Sequence, residues 1–133
     1  MSSIPRRVLV VEDHLAMGGV IQFALRKAGL DVTLARNGRA AWELLQEQVF
    51  DLVISDFQMP DVNGGQLREM MCLDARLAKV PFVLVTAKGL ELDEAYYCDK
   101  LSVREIVNKP FSPRYLMRLA QEIVNGPAEL TSV

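Results

Sequence analysis

The chain has 133 residues, half of them apolar and 24% charged, which at about 150 residues per domain makes one globular unit and rules out an intrinsically disordered chain. Fifteen basic residues against seventeen acidic ones give a net charge of −2, so there is no overall pull toward nucleic acid or anionic lipid, and the basic residues form no local patch. No apolar run approaches the ~20 residues that span a bilayer, the chain starts without the apolar stretch of a secretory signal, and Cys72 and Cys98 are too few for a disulfide framework; the expectation is a cytoplasmic protein with reduced thiols.

Arg7-Val8-Leu9-Val10-Val11 is a short β-branched run without alternation, as in a strand covered on both faces, and it ends in the acids Glu12-Asp13. From His14 to Ala28, apolar residues at Met17, Ile21, Ala24, Leu25 and Ala28 mark a helix with one buried face, and Gly29 is placed to stop it. Val32 to Ala35 reads as a second strand, Asn37-Gly38 as a turn, and Arg39 to Gln48 as a helix that turns Ala41, Leu44 and Leu45 inward. Leu52-Val53-Ile54-Ser55 is a third buried strand, ending at Asp56. Pro60 and Asn63-Gly64-Gly65 mark a loop, and Leu67, Met70 and Met71 a helix.

Phe82 to Val85 is the fourth strand, ending at Thr86. Glu91 to Lys100 reads as a shorter, more polar helix, and Glu105 to Asn108 as a fifth strand that ends at Lys109-Pro110. Ser112 as N-cap with Pro113 behind it opens a last helix through Asn125, closed by Gly126-Pro127. Trp42 and the methionines fall at helical spacing and read as core. Five βα units in alternation predict an α/β fold, an open parallel sheet with helices on both faces. Residues 1–126 make the domain, and 127–133 are expected to be a flexible tail.

In such sheets ligands bind beyond the carboxyl ends of the strands. Here those ends carry Glu12, Asp13, Asp56, Thr86 and Lys109. Singly, each has a plain explanation: a helix-capping acid, a β-branched strand residue, a solvated lysine. Jointly, they are three carboxylates, a hydroxyl and an ammonium on one edge. Crowded carboxylates partly protonate unless a cation holds them, and with only hard oxygen ligands on offer Mg²⁺ fits best. An aspartate beside such an ion, a lysine and a hydroxyl has the parts that phosphoryl transfer to a carboxylate requires. His14, the only histidine, is read as an exposed first-turn residue outside the site.

These residues resemble the response-regulator receiver domains of two-component signalling over roughly Val8 to Asn125. Val10-Val11-Glu12-Asp13 resembles the acidic pair, Asp56-Phe57-Gln58-Met59-Pro60 with Gly64 the phosphoacceptor loop, Thr86-Ala87 the switch hydroxyl and its small neighbour, and Lys109-Pro110-Phe111 the lysine loop. The resemblance implies the flavodoxin-like strand order 2-1-3-4-5. It implies that Asp56 is phosphorylated and that Mg²⁺ is bound by Asp13, Asp56 and the backbone carbonyl of Gln58, with Glu12 acting through water. Thr86 and Lys109 would hold phosphoryl oxygens, Ala87 would leave the donor access, and the Lys109-Pro110 bond would be cis. The implied partners are a histidine kinase or histidine phosphotransfer protein, and an effector met by the face of the fourth helix, fifth strand and fifth helix. Two positions depart from the family: Ile106 stands where an aromatic residue usually couples to the threonine, and Gln58 occupies a variable position that influences attack by water.

On the first helix, Leu15, Gly18, Gly19, Gln22 and Arg26 lie opposite the inferred buried stripe, and two mid-helix glycines at about 0.5–1 kcal/mol each suggest close approach of the donor's helices. Lys88 is a further candidate, for attracting an anionic donor. Two other functions remain open. A Mg²⁺-dependent phosphohydrolase with Asp56 as nucleophile is disfavoured by Gln58, where an acid would be needed, and by the lack of a cap insertion. A degenerate receiver acting only as an interaction module is supported by Ile106. No glycine-rich phosphate loop follows the first strand.

Overall fold

In a computed structural model, residues 4–87 and 91–126 are described; Lys88 and the proposed tail 127–133 lie outside them. Five strands, β1 (Arg7–Val11), β2 (Asp31–Ala35), β3 (Leu52–Asp56), β4 (Phe82–Ala87) and β5 (Glu105–Lys109), form one sheet of order β2-β1-β3-β4-β5. Every neighbouring pair is parallel, so the α/β prediction and the strand order implied by the resemblance both hold.

Alternate side chains of each strand face opposite sides of the sheet. Val8, Val10, Ile54 and Val85 pack on one side under α1 (Leu15–Lys27) and α4 (Pro113–Asn125), against Ile21, Leu25, Leu116 and Ala120. Leu9, Val11, Val53 and Leu84 face the other side, under α2 (Gly38–Glu47) and α3 (Gly64–Cys72), against Leu45, Leu67 and Met71. This double cover explains the unbroken apolar runs. β3, the middle strand, is buried at all five positions. Met59 and Met71 are buried, while Trp42, Met17, Met70 and Met117 are only half-buried.

The helix ends follow local chemistry. Asn37 caps α2, Asn63 and Gln66 form a reciprocal capping box on α3, and Ser112 caps α4 with Pro113 at its first position. Gly29, with φ +87°, ends α1 in a conformation that glycine adopts without cost. No helix among the described residues is long and apolar enough to cross a membrane.

Two expectations are corrected. The helix over Glu91 to Lys100 contracts to residues 94–100, of which Tyr96–Lys100 is a π-helical turn. The Asp93 side chain accepts from the Tyr96 amide at 3.0 Å and fixes the start, and the Leu101 amide reaches back five residues to the Tyr96 carbonyl. Gly18, placed on the solvent side of α1, is buried. A Cβ there would stand 3.3 Å from both terminal methyls of Leu34 on β2, so the missing side chain serves close packing of helix on sheet. Leu15, Gly19 and Arg26 are exposed as expected, and Gln22 is half-buried.

Candidate functional site

The strand ends meet as the sequence predicts. Asp56 is the last residue of β3, and two backbone bonds fix its flanks: the Phe57 amide donates to the Val85 carbonyl at 2.7 Å, and the Gly64 amide to the Phe57 carbonyl at 2.9 Å. Gly64 is needed for this fold-back, because a Cβ at that position would run into the Asp56 carbonyl oxygen and stand 2.8 Å from Leu84. Glu12 follows β1 and is buried, its amide donating to the Ala35 carbonyl at 3.0 Å. Asp13, next to it, is exposed.

Carboxylate oxygens of Glu12, Asp13 and Asp56 lie within 4.8 Å of one another. The Lys109 ammonium, at the end of β5, stands 3.2 Å from Asp56 Oδ1 and 3.7 Å from Glu12 Oε1. The peptide bond after Lys109 is cis. Burial pushes the pKa of Asp56 above its ordinary value, and Lys109 opposes that shift. Burial does the same to Glu12, aided by the negative charge of Asp56 and resisted by the His14 amide, which donates to its Oε2 at 3.1 Å. Two carboxylates held away from water beside a third leave a deficit of positive charge that one ammonium does not fill.

Thr86 is in register with Asn108, one position beyond the Val85–Asp56 pair. Its Oγ1 is buried and has no hydrogen-bond partner among the described residues, a state that costs about 1–3 kcal/mol unless a ligand relieves it. Gln58 stands exposed in the loop beyond Asp56. His14 is exposed at the N-cap of α1 without a side-chain capping bond, as expected.

One buried group was not singled out from the sequence. Arg68 on α3 is 1% exposed. Among the described residues its guanidinium forms no ion pair with a carboxylate; it donates to the carbonyls of Leu101, Val80 and Ala78 at 2.8, 3.1 and 3.1 Å and lies over the Phe82 ring. It ties α3 to the segment before β4 and to the end of the π turn. No sequence pattern marks it, since an arginine at its place on the helix reads as surface.

The family model of the response regulator receiver domain matches residues 8–121. The proteins called "Probable transcriptional regulator ycf29" in Pyropia yezoensis and Porphyra purpurea are each 32% identical, covering 89% and 88% of this chain but 53% and 56% of their own length. The chain therefore spans about half the length of these curated relatives. Among solved structures, the receiver domain of sensor histidine kinase PA1611 from Pseudomonas aeruginosa, which has a magnesium ion coordinated in its active-site cleft, matches with TM-score 0.81 at 25% identity, covering 92% of this chain and all of that one. The chemotaxis protein CheY4 of Vibrio cholerae shares the fold with TM-score 0.81 at 23% identity, over 90% of this chain and 99% of that one. A family match over most of the chain, a sheet of the same order and acids clustered at its carboxyl edge agree: the chain belongs to the response regulator receiver domains of two-component signalling.

Proposed function

We propose that the chain accepts a phosphoryl group on Asp56 from phosphohistidine of a histidine kinase or phosphotransfer protein, with Mg²⁺, and thereby changes its affinity for an effector. The observation that carries this reading is the Lys109 ammonium 3.2 Å from Asp56 Oδ1, in a cluster whose Glu12, Asp13 and Asp56 oxygens lie within 4.8 Å. The donor set fits a hard divalent ion: all-oxygen ligands, and burial that disfavours their ionised forms unless a cation is present. Asp13, Asp56 and the Gln58 carbonyl would hold it, with Glu12 acting through water, and it would neutralise charge on the phosphoryl oxygens.

An Asp56 carboxylate oxygen attacks phosphorus, the P–N bond to the donor imidazole breaks, the imidazole takes up a proton, and a mixed anhydride remains on Asp56. The strand-end backbone bonds hold Asp56 in place for attack. Lys109 pairs with one transferred oxygen, and Thr86 Oγ1 gains in another the partner it lacks. The only chemistry is on the protein itself. The exposed α1 residues Leu15 and Phe23, at 63% and 66%, support docking of a helical donor there. The π turn, β5 and α4 form the effector face, where Tyr96 and Tyr115 are partly exposed. A cytoplasmic location goes with this role.

Intact-mass analysis after acetyl phosphate and Mg²⁺ tests the reading. The wild type should gain one phosphoryl mass and Asp56→Asn none; equal labelling of both would remove Asp56 from its role. Turnover of free phosphoesters would favour the hydrolase alternative.

A further inference from the structure

Phe57 follows the proposed acceptor directly, and its ring meets that of Tyr97 edge to face, with centroids 6.1 Å apart and planes at 77°. Both rings rest on the bare Cα of Gly65: a Cβ there would stand 2.6 Å from the Tyr97 hydroxyl and 2.9 Å from ring atoms of Tyr97 and Phe57. With backbone bonds on both sides of Phe57, its ring is the part of this residue free to shift, and Tyr97 lies in its way.

Tyr97 belongs to the π turn. Its amide donates to the Asp93 carbonyl at 3.1 Å, and its carbonyl accepts from the Val103 amide at 2.9 Å, two residues before β5. Tyr96 beside it makes a second edge-to-face pair at 5.1 Å, and its hydroxyl donates to Glu69 of α3 at 2.6 Å. A π turn lies one hydrogen-bond register from an α-helical one, so it is a segment that two arrangements can share. Ile106 on β5 is half-buried in the same cluster and has no ring to turn.

We propose that Tyr97 is a positioning residue that transmits the state of Asp56, through the Phe57 ring seated beside it on Gly65, to the Tyr96–Lys100 turn and on to β5. This rests on the phosphoacceptor reading above. It supplies a route from site to surface that does not need an aromatic residue at 106.

Amide chemical shifts recorded during titration with beryllofluoride and Mg²⁺, a mimic of the phosphoryl group, test it. In the wild type, shifts should appear at residues 12, 13 and 56–58 and also at 96–103. In Tyr97→Leu, the affinity for beryllofluoride should stay within about twofold, while in Tyr97→Leu and in Phe57→Leu the shifts at 96–103 shrink at least about threefold relative to those at 12, 13 and 56. Tyr97→Phe keeps the ring and should behave as the wild type. Full shifts at 96–103 in Tyr97→Leu and Phe57→Leu, or none there in the wild type while residues 56–58 respond, would overturn the proposal and leave the acceptor role intact. No beryllofluoride binding by the wild type would overturn the acceptor reading, and this inference with it.

Discussion

Asp56 and Glu12 show how a single side chain carries the cost of the site. Burial raises both pKa values above the ordinary 3.8 and 4.5. In the pH range between the ordinary and the raised values, the folded chain holds protons that the unfolded chain has already released, so stability falls as pH rises through that window. The contribution is fully present below about pH 4 and lost above the raised values. Asp56→Asn removes one of the two ionisations and leaves Lys109 facing Glu12. In metal-free buffer at neutral pH the variant should therefore unfold at a higher temperature than the wild type, with the gap closing toward pH 4. Magnesium should raise the wild-type midpoint more than that of the variant. Parallel melting curves across the whole pH range would contradict this account.

Among the elements, the π turn depends on a side chain that its own sequence does not contain. Arg68 reaches from α3 to the Leu101 carbonyl at 2.8 Å and holds two further carbonyls before β4. Arg68→Met would keep much of the apolar stem but leave those carbonyls without their donor, at about 1–3 kcal/mol for each that water does not reach. A total loss of about 2–4 kcal/mol is expected, read as a lower urea midpoint at unchanged slope; a shift under about 0.5 kcal/mol would show the bonds to be idle. Periodicity could not reveal this anchor, because its partners lie 33, 12 and 10 residues away. The same limit applies to α1. Gly18, Ile21 and Leu25 form its buried stripe, but a glycine carries no hydrophobic signal, and Met17, Ala24 and Ala28 drew the inferred face around the helix. The strands were legible because a run covered on both faces must be apolar throughout, and the acids that follow β1 and end β3 break that rule at the carboxyl edge of the sheet.

At the scale of the whole molecule, alternation of strands and helices specified the fold class, whereas nothing in the residues themselves ordered the strands; that came from family likeness and is seen in the sheet. The convergence of Glu12, Asp13, Asp56 and Lys109 follows from that order, which sets β3 beside β1 and β5 two strands from β3, with β4 between them. β3 is hydrogen-bonded on both sides and buried along its length, while β5 is an edge strand with Asn108 exposed. Hydrogen–deuterium exchange in sub-denaturing urea should show this asymmetry. Amides at 53–56 are expected to exchange only through global unfolding and those at 105–109 through smaller openings; equal protection of the two would refute it. On this expectation the proposed nucleophile is carried by the last segment to come apart and its ammonium partner by one of the first. Mild warming would take the lysine out of reach while the aspartate stayed where it was, so the proposed ability to be phosphorylated should fade at temperatures where the sheet as a whole still stands.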